Sequence, residues 1–257
     1  MKDFAKKLLA IFSIFSLTIF LSGCLGDDEV ENPKMSLRVG TRLDSPPLEF
    51  YAENGKDYLG FEIDLIRAIA KKMNARVEIE DINFDALIPA LQSNMIDLAI
   101  SGMTITDERS QIVVFSDPYY ESGLTVLVKA NDGSINSFNE LRGKRIATRF
   151  GSTGYAAARQ IAGVNIIEFG EANEAVEELQ NGEADAVIGD RPVNDYLVKN
   201  NADLGLRSLP GTLSAEYYGI AVAKDNKELL QKINESLQYI RDSGEYDKIY
   251  SKWFGEN

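Results

Sequence analysis

Arg109 stands three residues after Thr106 in the run Thr106-Asp107-Glu108-Arg109. A threonine hydroxyl accepts from backbone amides two or three residues on, so Thr106 suits a helix cap and Arg109 falls in the first turn. That end of a helix repels cations. An anion between the guanidinium and the helix-start amides removes the conflict, and a carboxylate fits because guanidinium grips it with two parallel bonds. The same spacing also suits an exposed arginine pairing along its own helix. Just upstream, Ile96-Asp97-Leu98-Ala99-Ile100 follows the Ser93-Asn94 turn and reads as a short buried strand, after which Gly102 lets the backbone turn or approach something closely.

Composition narrows the chemistry around that arginine. The chain has no histidine, which removes Ser-His-Asp and Cys-His nucleophile systems and every histidine metal site. Its single cysteine cannot form an intrachain disulfide. A net charge of −13 argues against nucleic acid or an anionic membrane surface as partner. Neither a metal nor a cofactor is expected. With 257 residues, 44% of them hydrophobic, the chain can bury one large or two moderate cores.

The cysteine has a place of its own. Lys2, Lys6 and Lys7 precede an apolar stretch from Leu8 to Leu21, too short to span a bilayer comfortably, so residues 1–23 read as a secretion signal. Leu21-Ser22-Gly23-Cys24 is similar to the lipobox of prokaryotic lipoproteins, with cleavage before Cys24 and lipid on its sulfur. An ordinary signal peptide with an incidental cysteine is the alternative. Residues 24–35, with Asp27-Asp28-Glu29 and Glu31-Asn32-Pro33, read as a flexible tether. No apolar stretch follows the last helix, so the expected location is extracytoplasmic, anchored to the membrane surface by lipid alone.

From Ser36 onward strands alternate with helices. Leu37 to Gly40 is a first strand. Phe61 to Met73 is a helix with Leu65, Ile66, Ile69 and Met73 on one face, and Val77 to Asp81 is a second strand. Such alternation implies βαβ units and a mainly parallel sheet. At a separation of 88 residues, Leu91 to Ile100 echoes Leu179 to Ile188: helix end, polar turn, aspartate (Asp97, then Asp185), buried strand, glycine-containing loop. The match is too short for a true repeat but suggests two lobes of similar plan, each offering a loop at the carboxyl end of a strand, where ligands of open α/β sheets bind. Tyr217 to Ala223 reads as a last strand. Glu228 to Arg241 is a long helix, followed by an aromatic helical face from Tyr246 to Phe254 that suits core packing.

Gly60-Phe61-Glu62-Ile63-Asp64-Leu65 resembles the signature of the family 3 solute-binding proteins, the polar amino-acid receptors of ABC importers. The resemblance continues through Phe84 to Leu91, Ile96 to Arg109, Phe115 to Tyr120, Gly151 to Gly154, Ala184 to Asp190 and Tyr250 to Gly255. Within the family, the glutamine receptors stand nearest. The resemblance implies the type II periplasmic-binding-protein fold, two α/β lobes that close over one free L-amino acid. Lobe 1 would be 36–118 plus 219–257 and lobe 2 would be 124–213, hinged at 119–123 and 214–218.

The resemblance also implies roles. Arg109 would grip the α-carboxylate, helped by amides at Thr104, Ser152 and Thr153. Asp190 would pair with the α-ammonium, helped by the Gly102 carbonyl and the Thr104 hydroxyl. Phe84 would pack on the aliphatic part of the ligand. Capping is the alternative for Asp190, Ser152 and Thr153, and core packing for Phe84. Arg42, Asp44 and Ser45 lie where relatives carry specificity, and this loop departs from the glutamine receptors, which tend to have an aspartate near Arg42 and an aromatic near Ser45. With Arg149 at a basic position, two arginines would favour glutamine or glutamate over a cationic side chain. The expected partners are the amino acid, ABC permease subunits and, through Cys24, the membrane; a monomer that is not an enzyme is expected. The rival functions are an enzyme similar to cyclohexadienyl dehydratase and an amino-acid sensor module.

Overall fold

The computed structural model describes residues 33–255. The signal peptide, the Cys24 lipid site and nearly all of the tether lie outside the described residues.

Two sheets organise the chain. The first has five strands in the spatial order Ala75–Asp81, Met35–Thr41, Leu98–Ala99, Ala221–Ala223, Val113–Phe115. Its first three strands are parallel, with Val39 level with both Ile79 and Leu98. Helices Phe61–Lys72, Lys227–Asp242 and Glu245–Phe254 cover one face, packing Leu65, Ile66, Ile69, Ile233, Leu237 and Ile240 into a core with the strands. The predicted aromatic face joins that core, Phe61 making edge contacts with Tyr246, Tyr250 and Phe254. Leu87, Leu91, Ile96 and Met103 form a smaller core on the opposite face.

The second sheet takes its six strands from 120–218, with helices Thr153–Ala158, Ala172–Asn181 and Arg191–Asn200 around it. Strands Asn165–Phe169, Arg145–Arg149 and Ala186–Asp190 are parallel; Tyr120–Lys129 joins them antiparallel and carries Leu206–Ser208 and Ser214–Tyr218, also antiparallel. Both sheets are thus mixed rather than mainly parallel. Helical crossovers link the parallel strands, whereas Tyr120–Lys129 and Ala221–Ala223 arrive by direct passage from the other sheet, which imposes no common direction.

The echo between the halves has a structural basis. In the first sheet the Arg38 amide and guanidinium both donate to Asp97, at 2.8 and 2.7 Å. In the second, Arg145 does the same with Asp185, at the same two distances. Arg38 also donates to the Asn94 carbonyl and Arg145 to that of Gly182. Each aspartate thereby ties the turn before its strand to the start of a neighbouring parallel strand.

One predicted strand divides. Tyr217 to Ala223 becomes the end of Ser214–Tyr218 in the second sheet and Ala221–Ala223 in the first. The chain passes between them at Gly219, where a Cβ would come within 2.9 Å of Ile105 and 3.1 Å of Phe115. Apolar periodicity reports burial and cannot say which sheet receives each half of a continuous run. Ser214–Tyr218 and the start of Tyr120–Lys129 lie side by side as the two passages between the sheets.

Candidate functional site

The predicted site residues come from both halves and meet in the cleft between them. On the first side, Thr106 caps the helix Asp107–Ser110 by accepting from the Arg109 amide at 3.2 Å. That turn aims the guanidinium back, so that Nη1 donates to the Thr104 carbonyl at 2.8 Å and Nη2 crosses the cleft to the Gly151 carbonyl at 3.0 Å. Burial lowers its pKa, with Asp190 opposing and Arg149 adding to the effect. Arg109 therefore faces inward, and pairing along its own helix is excluded.

On the second side, Arg149 ends the strand Arg145–Arg149 and is only 7% exposed. Its guanidinium lies over the Phe84 ring, 4.1 Å from the centroid, while that of Arg109 lies 5.2 Å away. Phe84 therefore carries two cations on an aromatic surface, a contact that stabilises charge as well as packing. Arg149 Nη1 stands 3.5 Å from Asp44 Oδ1 and has no hydrogen-bond partner.

Asp190 ends the strand Ala186–Asp190, and its side chain does not cap the following helix, which disposes of the capping alternative. It is hydrogen-bonded to Tyr218, whose hydroxyl also accepts from Ser122 at 2.8 Å. Burial pushes the Asp190 carboxyl up to about 6; Arg149 pulls against this, Glu216 adds to it, and the Tyr218 bond and Arg109 pull it down.

Gly102 has φ 54°, the left-handed region that glycine enters at little cost. Its amide donates to both oxygens of Glu62, at 2.8 and 3.1 Å, and Leu48 and the Tyr218 ring stand within 4 Å of where a Cβ would sit. Glu62 also accepts from the Tyr119 hydroxyl at 2.6 Å and shares a hydrogen bond with Glu49. Both glutamates are fully buried. Burial, with Glu62 beside it, drives the Glu49 carboxyl well above the usual range, so Glu49 holds the proton and Glu62 accepts.

Other predicted residues make contacts within and across the cleft. The Ser152 hydroxyl donates to the Arg149 carbonyl at 2.7 Å and accepts from the Tyr155 amide at 3.1 Å, so it serves as a cap. Arg42 pairs with Asp81 on its own side and with Glu171 across the cleft. Asp44 accepts from the Ala172 amide across the cleft at 3.1 Å and from Ser45 Oγ at 2.7 Å. The loop 42–45 thus joins the two halves and closes one end of the cleft. From that end a cavity of about 250 Å³ runs into the second half, with Asp44, Arg149 and Asp190 at its mouth and Val176, Val187 and Leu197 along its wall. Sequence reasoning missed Glu62 and Tyr218 as supports of the site; an acid inside the apolar face of the helix Phe61–Lys72 was the one signal for Glu62.

A guanidinium from one α/β half and a carboxylate from the other face one cleft, and the family comparison agrees with that two-lobed geometry: the model for bacterial extracellular solute-binding proteins, family 3, matches residues 37–256. The chain belongs to this family. The ABC transporter arginine-binding protein 1 of Escherichia coli (strain K12) is 37% identical, over 85% of this chain and 90% of its own length. A probable histidine-binding protein of Neisseria gonorrhoeae is 34% identical, over 98% and 96%. An ancestral arginine-binding protein has been solved bound to arginine (47% identity, TM-score 0.83) and bound to glutamine (48%, TM-score 0.83), each covering 86% of this chain and 98% of the other. As a family 3 member the chain has the expected fold, but these relatives carry the names of arginine and histidine binders; the expected nearness to glutamine receptors is corrected accordingly.

Proposed function

We propose that this protein is the extracytoplasmic receptor of an ABC importer, anchored to the membrane surface by lipid on Cys24, and that it closes its two lobes over one polar L-amino acid, with glutamine or glutamate expected from the sequence and glutamine favoured by the cleft. The supporting observation is that Arg109 of one lobe, bonded across the cleft to the Gly151 carbonyl, and buried Asp190 of the other lobe face the same cleft, each acting on the other's ionisation. Neither lobe alone satisfies a zwitterion, so the ligand favours the closed form through contacts made only there. The hinge consists of the antiparallel passages 119–123 and 214–218. Arg109 and the amides that open the helix Thr153–Ala158 take the carboxylate; Asp190, the Gly102 carbonyl and the Thr104 hydroxyl take the ammonium.

The side-chain end supports glutamine. Arg149 Nη1 is a buried donor without a partner, and Asp44, an acceptor, lies beside it. A terminal amide satisfies both, its carbonyl accepting from Arg149 and its NH₂ donating to Asp44. Glutamate sets a second anion against Asp44. Arginine is the second reading, supported by the names of the relatives. Its guanidinium would bring a second cation to the end that Arg149 already occupies beside Asp44.

A thermal-shift screen of the twenty amino acids, with arogenate and prephenate added, tests the function. A shift with glutamine that disappears in Arg149→Leu supports the amide reading, whereas a larger shift of the wild type with arginine than with glutamine supports the second. Turnover of arogenate or prephenate, or no shift with any amino acid, sinks the receptor reading.

Binding also depends on pH. Ammonium pairing needs ionised Asp190, whose carboxyl titrates at about 6 in the closed cleft. Protonation as the pH falls through that value removes the charge partner, so affinity strengthens with rising pH. We expect Kd at pH 5 to be about ten-fold weaker than at pH 7, as measured by calorimetric titration. Asp190→Asn should bind weakly at both and lose the slope.

A further inference from the structure

Glu216 lies on the passage Ser214–Tyr218 and is 7% exposed. Its Oε2 accepts from Thr104 Oγ1 at 2.7 Å and from Thr153 Oγ1 at 2.9 Å; its Oε1 accepts from Ser214 Oγ at 3.1 Å. Thr104 follows the strand Leu98–Ala99 of one lobe, and Thr153 opens a helix of the other. One carboxylate oxygen is therefore shared by hydroxyls from both sides of the cleft.

A hydroxyl has one proton and two lone pairs, and a carboxylate only accepts. Both threonine protons are committed to Glu216, so toward the cleft these hydroxyls can only accept. Without the carboxylate the same hydroxyls could rotate to donate, and the site would suit an anion or a carbonyl as well as a cation.

We propose that Glu216 is a specificity-determining positioning residue: by holding the Thr104 and Thr153 hydroxyls as acceptors, it makes the closed cleft select a protonated amino group. The selection is tied to closure, because the two hydroxyls reach the same oxygen only when the lobes are together. The inference rests on the amino-acid reading of the site and adds to it the group that sets hydrogen-bond polarity. It also explains how a cleft holding two arginines keeps one end fit for a cation.

Glu216→Gln separates polarity from charge. Its carbonyl can accept from both threonines while its NH₂ donates to Ser214. Glu216→Ala removes both acceptors. L-glutamine and L-arginine are titrated calorimetrically into the wild type, E216A, E216Q, T104V and the E216A/T104V double variant, with folding checked by circular dichroism melting. We expect E216A and T104V each to weaken binding at least about ten-fold and E216Q to stay within about three-fold of wild type. E216A should add little on top of T104V, the non-additivity of residues acting through one contact. E216A or T104V binding like wild type overturns the proposal, as does E216Q falling as far as E216A, which would show a role of charge alone. If E216A does not fold, T104V and E216Q still decide. Wild type binding none of the twenty amino acids of the thermal-shift screen overturns the amino-acid reading itself, and the inference with it.

Discussion

Replacing Arg109 by alanine is expected to weaken amino-acid binding by roughly 2–5 kcal/mol, since truncating one partner of a buried, hydrogen-bonded charge pair leaves the other unpaired. In affinity this is roughly thirty-fold to several thousand-fold. The guanidinium already spans the cleft, bonded to the Thr104 carbonyl on one side and the Gly151 carbonyl on the other. The variant therefore loses a bond between the lobes as well as the carboxylate grip, and both losses act on the closed form. Arg109→Lys should fall between wild type and alanine, keeping the charge without the planar fork. Calorimetric titration measures all three, and unchanged affinity in the alanine variant would remove Arg109 from the site.

Much of this centre was legible from local chemistry. The Thr106 cap, the inward arginine and the turn at Gly102 each depend on neighbours within a few residues, and each takes the conformation its residue types favour. Asp190 was marked by the family resemblance, and the structure frees it from side-chain capping. The loop 42–45 was read as lying where relatives carry specificity, and Asp44 does stand beside Arg149. What local chemistry did not show is that Arg42 pairs with Asp81 and Glu171, because the lobes bring an acid across the cleft that lies more than a hundred residues away in the chain.

The second large effect concerns stability. Glu62→Ala is expected to destabilise the protein by about 3–5 kcal/mol, the usual result of removing one partner from a buried charged network. The Tyr119 hydroxyl, the Gly102 amide and the Glu49 proton all lose their acceptor at once. For a protein of this size the melting temperature should drop by about 10 °C, seen by scanning calorimetry. A drop of under about 2 °C would mean the network is not held together at Glu62. The same pair gives a pH signature. Folded Glu49 keeps its proton well above the ordinary value of 4.5, so the folded chain binds more protons than the unfolded one. Its contribution is complete below that value and fades as the pH rises through the folded-state pKa. Glu49→Gln keeps a donor facing Glu62 without a titrating proton and should flatten that decline.

The sequence by itself determined the family, the alternating α/β plan, the helix faces and the twin Asp97 and Asp185 turns. All of these follow from short-range periodicity and capping or from ordered runs of residues. Tertiary structure alone decided that Tyr217 to Ala223 divides between two sheets, that Glu49 and Glu62 share one proton, and that the Arg149 guanidinium lies over the Phe84 ring. It alone brought Thr104, Thr153 and Glu216 to a common oxygen. Those features arise from groups 13 to more than a hundred positions apart being desolvated together. The energy of a buried charge or hydroxyl is set by what surrounds it in space, and residue order does not carry that information.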